Sequence, residues 1–461
     1  MDPRTRRLLE APIAPTLIRL ALPNMVVMIT QAGISLVEAY FLARLGTDAL
    51  AGVSMVFPVM MLMQMMSAGA MGGGISSAVA RTLGAGRRED ASRLAWYAVA
   101  IALTLGFVTT VAALIGGPAL YAAMGGSGGS LAAAVLYSNV VFAGAVFVWL
   151  FNALANVIRG SGNMTVPAVV SCAGAAVLIP LSPALIFGWW GFPRLGIVGG
   201  GLAVVVYYAV GSAVFAGYVW SGRGVLQPPV RPPRLQWAPA REILRVGAVA
   251  SLVTVTTNAT VVIATSYVGR FGAAAVAGYG VGARLEYMMV PLVFGLGAPL
   301  VAMVGTNIGA GQQARALRVA WIGAGMAAAI TGTIGLVAAL QPDWWLSLFG
   351  TDPLMLETGR QYLRIVGPFY GLFGLGMALY FASQGAGRVG WPLIAGVSRL
   401  VVAAVGGFVA LRLGFGLAGV FAALGIALAT FATINAAAIA SGSWFRQPRT
   451  PLRPVQAPSQ A

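Results

Sequence analysis

Lysine and histidine are both absent from this 461-residue sequence, and cysteine occurs only once. Without histidine there is no imidazole to act as a base, relay a proton or ligate zinc, so His-dependent triads and His-containing metal sites are excluded. The lone Cys172 cannot form an internal disulfide, lies within an apolar run and reads as small-residue packing, so no oxidising compartment is implied. Charge of either sign is scarce: charged residues make up 8% of the chain, against roughly a quarter in soluble domains. That scarcity excludes an ordinary water-soluble fold. What fills the space is apolar, with 59% hydrophobic residues and a mean hydropathy of +0.86. The solvent of this protein is lipid.

All 28 basic residues are therefore arginine, and the net charge is +17. In a soluble domain such an excess would suggest nucleic acid. Here the arginines sit in short segments between apolar runs, where they orient helices in the bilayer. The excess reports topology, and no nucleic-acid partner follows from it. Arg4, Arg6 and Arg7 precede an apolar stretch over 17–42 that is too long for a signal-peptide core, so it reads as a retained span.

A spanning helix needs about 20 apolar residues. By that measure twelve spans are expected, at 16–42, 50–80, 93–115, 132–157, 164–188, 196–220, 243–268, 275–305, 316–340, 360–382, 391–411 and 415–440. Pro23, Pro58, Pro180, Pro183, Pro291 and Pro299 mark places where these helices can kink. Arginines alternate between a crowded side, with Arg4, Arg6, Arg7, Arg81, Arg87, Arg88, Arg159, Arg223, Arg315, Arg388, Arg446, Arg449 and Arg453 among its members, and a sparse side with Arg44, Arg194, Arg270, Arg360, Arg364 and Arg412. The positive-inside rule then places both termini in the cytoplasm. The expected organisation is a cytoplasmic segment 1–14, a six-helix bundle 15–220, a proline- and arginine-rich cytoplasmic linker 221–240, a second six-helix bundle 241–442 and a cytoplasmic tail 443–461.

The two halves repeat each other. LGAGRREDASRLAW at Leu83–Trp96 matches IGAGQQARALRVAW at Ile308–Trp321, which sets Gly84 on Gly309 at an offset of 225. Tyr137, Gly160, Gly162 and Pro167 fall on Tyr362, Gly385, Gly387 and Pro392 at the same offset, and Arg44 and Gly46 fall on Arg270 and Gly272 at 226. Each half holds an even number of spans, so both have the same orientation. The expected fold class is all-α: twelve transmembrane helices in two six-helix bundles related by a pseudo-twofold axis along the membrane normal, with a binding cleft between the bundles and alternating access. The bland alternative is a duplicated bundle that serves as a receptor or scaffold.

Of the 11 acidic residues, only Glu38 and Glu286 lie inside apolar runs, one in each half. An ionisable group there costs at least ~2.5 kcal/mol, so a functional role is the default. Burial disfavours the charged form, and a carboxyl in such a place can exchange a proton as its access to water changes. Glu38 lies six residues before Arg44, about 9 Å along a helix, in the outer third of its span, and the competing reading is a glutamate that reaches interfacial water. Glu286 is too deep for that. Its neighbour Arg284 is two residues away and faces elsewhere on a helix. Arg399 is the other candidate partner, so a Glu286–Arg399 ion pair and a direct role of Glu286 in transport stand as alternatives. Gln31, Gln64, Tyr137, Asn156, Tyr287 and Gln384 could line the cleft or simply hold helices together. Methionines between Met60 and Met71 offer either an adaptable ligand surface or core filling.

The runs LVEAYFLARLGTDALAG, ARTLGAG, NALANVIRGSGNMTVP and LSPALIFGWWGFPRLGIVGGGLA, in that order, resemble the multidrug and toxic compound extrusion (MATE) family, and the resemblance covers about residues 14–440. The run ARLEYMMVPLVFGLG is similar to the DNA-damage-inducible-F-like branch of that family. The resemblance implies that Glu38 takes the place of the first-helix acid that accepts the coupling cation. It also implies that Pro23, Gln31, Tyr137 and Asn156 accompany it and that Glu286 matches an acid of the second bundle. Where relatives commonly carry Asn and Asp before a proline in the fifth span, this chain has Leu178 and Ser182 before Pro183, and Val204 stands where the sixth span often has Thr. Sodium needs several hard oxygen ligands and a proton needs one base, so these losses favour proton over sodium coupling.

The expected function is a proton-coupled multidrug efflux antiporter, not an enzyme, in the cell inner membrane. It would work as a monomer without a cofactor and carry amphipathic, often cationic cargo. A flippase for lipid-linked oligosaccharide is the first rival, and it would call for a cationic central cavity, whereas only Arg284 and Arg399 lie deep. A non-transporting receptor is the second.

Overall fold

The computed structural model describes residues 2–445; Arg446, Arg449 and Arg453, assigned above to the crowded side, lie with the end of the tail outside the described residues. A short amphipathic helix, α1 (Pro3–Glu10), starts on an Asp2 cap whose side chain accepts from the Arg4 amide. The first half then runs α2 (Ile13–Ala43), α3 (Thr47–Gln64), a π-helical turn (Met65–Met71), α4 (Gly72–Gly84), α5 (Arg88–Ala123), α6 (Gly128–Ala143), α7 (Ala145–Gly160), α8 (Thr165–Phe187) and α9 (Ile197–Trp220). The second half runs α10 (Trp237–Gly269), α11 (Ala273–Gly309), α12 (Gln313–Leu340), a short α13 (Asp343–Leu346), α14 (Pro353–Val366), α15 (Tyr370–Gly385), α16 (Gly390–Arg412) and α17 (Gly416–Ala440). In hydrocarbon every backbone amide must bond within its own segment, which leaves helices as the open choice for chains this apolar. Eleven helices among the described residues are long and apolar enough to cross a membrane, and the count is twelve when α6 and α7 are taken as one bent span.

The span expected over 132–157 is this bent pair. The chain turns by 46° at Gly144, between α6 and α7, where a Cβ would run into the Val205 side chain of α9. Helix α10 starts at Trp237, near the end of the range 221–240, and Val225 and Leu226 in that range are buried against the first half. Arg88 holds the Val225 carbonyl at 2.6 Å, Ser92 accepts from the Gln227 amide at 2.9 Å, and the Trp96 indole donates to the Pro229 carbonyl at 2.9 Å.

Each half has its own core. Tyr121, Tyr137, Phe142 and Phe215 are among the fully buried side chains of one, and Tyr362, Tyr370, Phe421 and Phe431 of the other. The internal repeat is visible in the backbone: Gly86 and Gly311, at φ 76° and 74°, end the second span of each half in the left-handed conformation that glycine adopts without strain. The halves form two six-helix lobes about a pseudo-twofold axis along the membrane normal. The start of α2, with Leu17 and Ala21, belongs to the core of the second lobe, so the first helix crosses from one lobe to the other.

Candidate functional site

Glu38 lies five residues before the end of α2, toward the arginine-poor side. Its Oε1 is shut off from solvent and has no hydrogen-bond partner among the described residues. Arg44, the nearest cation in sequence, is turned away: its guanidinium donates to the Tyr40 hydroxyl and stacks over that ring at 4.8 Å. No arginine ion-pairs with Glu38 among the described residues. Tyr137 of α6 and Tyr208 of α9 lie within electrostatic reach of its carboxyl. One helical turn back, Ile34 packs against Leu178, Leu185 and Ala203, so apolar side chains line this stretch of α2. Ser182 is buried, and its hydroxyl has no hydrogen-bond partner among the described residues.

Pro23 lies within α2, which runs on through it. Asn24 next to it donates to the Phe294 carbonyl of α11 at 3.1 Å, which ties the middle of the first span to the opposite lobe. Gln31 lies on the same helix between Asn24 and Glu38.

The second acid is paired. Arg399 of α16 reaches Glu286 of α11 at 3.4 Å, and the Tyr362 hydroxyl donates to the other carboxylate oxygen at 3.1 Å. Arg399 is only 5% exposed, and its Nε and Nη1 have no hydrogen-bond partner among the described residues. Arg284 is not part of this pair. It stacks over Phe349 at 5.5 Å, and Tyr287 is exposed. Removing one partner of a buried ion pair strands the other, at a cost of about 3–5 kcal/mol, whereas replacing both by apolar groups is often neutral. Arg399→Met should therefore lower the thermal midpoint of the detergent-solubilised protein substantially, and the double change Glu286→Leu with Arg399→Met should restore most of it. A midpoint equally low in both variants would show that the pair is not the source of the loss.

The π-helical turn at Met65–Met71 is clasped from both lobes. A π turn leaves carbonyls without their helical partners, and such turns mark functional places in long helices. Asn156 of α7 donates to the Ala68 carbonyl at 3.2 Å, and Gln384 of α15, fully buried, donates to the Gly69 and Ala70 carbonyls at 3.2 Å each. Gln64, just before the turn, accepts from Asn152 at 3.2 Å and from Tyr208 at 3.4 Å, beside a cavity of about 40 Å³. Asn156 and Gln384 thus hold backbone, and neither opens onto that cavity. Gly73 makes room for Gln384, since a Cβ there would collide with its amide. Replacing Gln384 with leucine would leave buried carbonyls unpaired, at a cost of about 1–3 kcal/mol. The expected result is a lower thermal midpoint and looser protection of the Gly69 and Ala70 region in hydrogen exchange; unchanged exchange there would show that the clasp is idle.

Between this turn and the arginine-rich side the lobes are shut. Gly84 of α4 lies so close to α11 that a Cβ would meet the Thr306 carbonyl, and Gly309 of α11 lies so close to α4 that a Cβ would meet the Arg81 carbonyl. Gly84 and Gly309 are equivalent in the repeat, and so are Arg81 and Thr306, so one contact is used twice about the axis. Ser77 donates to the Gln384 and Gly385 carbonyls at 2.6 and 2.9 Å, Arg81 pairs with Glu242 at 2.6 Å, and Asn307 donates to the Leu8 carbonyl at 3.2 Å. Sequence reasoning picked out Gly84 and Gly309 as repeat markers without seeing that they touch the opposite lobe. Tyr208, Ser77 and the Arg81–Glu242 pair were missed, because hydroxyls and span-end charges are common in membrane helices and carry no spacing signal, and Tyr362 was marked only as the repeat partner of Tyr137.

Comparison with known proteins fits this arrangement. The sequence family described as MatE matches residues 23–184 and 250–409, one segment in each half. The chain is 28% identical over 400 residues to a protein of Shewanella oneidensis named FAD transporter, covering 86% of this chain and 87% of that protein. It is 26% identical over 384 residues to a Thermotoga maritima protein named probable multidrug resistance protein NorM, covering 83% and 82%. Among solved structures, a MOP superfamily transporter from Pyrococcus furiosus, whose binding pocket is described as reversed in polarity, superposes with a TM-score of 0.87 at 22% identity, covering 97% of this chain and all of that one. An outward-facing multidrug resistance MATE transporter superposes with a TM-score of 0.88 at 23% identity, again over 97% of this chain and all of that one. At such identities the structures speak for the fold alone.

Proposed function

From the fact that the chain belongs to the MatE family, we propose that it is a secondary-active antiporter that exports amphipathic, often cationic organic compounds as protons enter. As a member of that family it is a multi-pass membrane transporter and not an enzyme, and the family needs no cofactor. The proposal places it in the inner membrane as a monomer, with the arginine-rich side and both termini in the cytoplasm. The lobes 15–220 and 241–442 tip about the cleft between them, and the segments 1–14, 221–240 and 443–461 stay on the cytoplasmic face.

The observation that carries this reading is Glu38, an acid within a membrane span whose Oε1 is buried, among the described residues, without a hydrogen bond or a cation to balance it. A carboxyl so placed is neutral with its proton and charged without it, and the cost of the charge changes when the cleft opens to water. Proton binding at Glu38 is thereby linked to which way the cleft faces. The apolar cluster of Ile34, Leu178 and Ala203 beside it supports a proton over sodium, since a hard cation needs several oxygens. Names among the relatives support drug-like cargo. A second reading, export of a flavin dinucleotide, is favoured by the Shewanella relative named FAD transporter.

The test uses inside-out vesicles or proteoliposomes. A pH gradient should drive uptake of an ethidium-like dye, a sodium gradient at equal pH should not, and excess FAD should leave dye transport unchanged. Transport driven by sodium alone would overturn the choice of ion, and FAD competing with the dye would turn the cargo toward the second reading.

A further inference from the structure

A cavity of about 800 Å³ opens on the arginine-rich side at the seam between the lobes, and it is distinct from Glu38 and from the Glu286–Arg399 pair. Its wall takes Arg81 from the first lobe, and Trp237, Arg241, Glu242, Arg245 and Arg388 from the second. Glu242 is the one acid in that wall, and it is already engaged by Arg81 at 2.6 Å. Arg241, Arg245 and Arg388 take part in no ion pair or side-chain hydrogen bond among the described residues. Three guanidiniums without a counter-charge therefore share one cavity, with an exposed indole at Trp237.

The internal repeat says what makes this place unusual. The loop at Gly387 corresponds to the loop at Gly162, and both glycines are left-handed, at φ 71° and 80°. At Gly162 the space is filled by α1: a Cβ there would meet Leu8 at 2.8 Å, the Leu8 carbonyl is held by Asn307, and the Ala11 carbonyl is held by Arg315. At Gly387 a Cβ would meet the Arg81 guanidinium carbon at 2.9 Å, and among the described residues no helix takes the place that α1 has at Gly162. The segment that corresponds to α1 at the offset of 226, residues 229–236, instead lies against the first lobe: the Pro229 carbonyl accepts from the Trp96 indole and the Gln236 amide donates to the Tyr97 hydroxyl. A basic helix like α1 would be repelled by this groove, whereas an anion would be drawn into it.

We propose that this cavity is a binding site for a phosphate-bearing anion, held by Arg241, Arg245 and Arg388. Guanidinium groups match phosphate with paired, charge-assisted N–H donors, the volume suits a small ligand, and a basic pocket between transmembrane helices suits a phospholipid headgroup equally well. The shared chemistry is the phosphate. The site does not rest on proton coupling or on the cargo proposed above, and it lies within reach of both lobes through Arg81.

The experiment uses the full chain in detergent for soluble phosphate and in nanodiscs for lipid. Inorganic pyrophosphate is titrated by calorimetry against wild type, Arg241→Gln with Arg388→Gln, and Arg388→Glu, each first checked for an unchanged thermal midpoint. Retention of phosphatidylglycerol against phosphatidylcholine is read for the same proteins by native mass spectrometry. Arginine-dependent pyrophosphate binding, weakened about tenfold or more in the double variant and lost in Arg388→Glu, assigns the site to soluble phosphates. Arginine-dependent retention of phosphatidylglycerol alone assigns it to a headgroup. Binding in neither arm, or binding equal in wild type and variants, overturns the proposal. Should a variant lose its midpoint, Arg245→Gln replaces it and is read in the same way.

Discussion

Vesicles carrying Glu38→Gln should lose gradient-driven dye export by a factor of roughly 5–150, the range of ordinary coupling free energies, while dye binding at equilibrium persists. Glutamine keeps the size and polarity of the side chain and removes its one titratable proton. Among the described residues Oε1 of Glu38 has no cation or hydrogen bond to hold it, and nothing near it can take over the exchange: Tyr137 and Tyr208 are hydroxyls, and the other acids of the first half lie in loops or in the end turns of its helices. Glu38→Asp should retain part of the activity, since a carboxyl survives one methylene further back. Full export by Glu38→Gln under a pH gradient would remove this residue from the coupling.

Blocking the closed side should have an effect of similar size through geometry instead of charge. A leucine at Gly84 or Gly309 places a branched side chain where the opposing carbonyls of Thr306 and Arg81 now sit. Overpacking of this kind costs about 1–3 kcal/mol, enough to shift a two-state balance by a factor of roughly 5–150. The balance should move toward separation of α4 from α11 at the arginine-rich side. Spin labels on cysteines introduced at the exposed, repeat-equivalent positions Arg87 and Gln312, with Cys172 replaced by alanine, would report it as longer distances between labels in both variants. Because the two contacts are related by the axis, Gly84→Leu and Gly309→Leu should behave alike. Unchanged distances would mean that the crossing of these helices does not set the closed side.

Much of this architecture is legible in the residues because the bilayer imposes a length on each span and a sign on each loop. The twelve runs, the two halves and the register between them came from hydropathy, arginine placement and the 225-residue offset of Gly84 and Gly309. The bend at Gly144 was not legible, because hydropathy measures how long an apolar run is and not which way it points. The start of α10 at Trp237 was missed for a related reason: a helix can extend into water past its apolar length, and only its contacts say so. At the site, the rarity of acids in the spans was enough to single out Glu38 and Glu286. The Glu286–Arg399 pair stood there as one of two alternatives and could not be decided, since the partners lie 113 residues apart and hydropathy does not say which helix faces face each other. Amides were the least informative class. Gln384 and Asn156 have the composition of cleft-lining groups, yet both serve the carbonyls of the π turn, and a single sequence does not mark where a helix widens.

The most direct test is proton release on cargo binding, measured with no gradient and no sodium. Detergent-solubilised protein in weakly buffered solution is mixed with an ethidium-like dye while a pH indicator is followed. Cargo and proton competing through Glu38 predict that wild type acidifies the medium as it binds dye and that Glu38→Gln binds the dye without doing so. Equal proton release by both proteins would contradict the account.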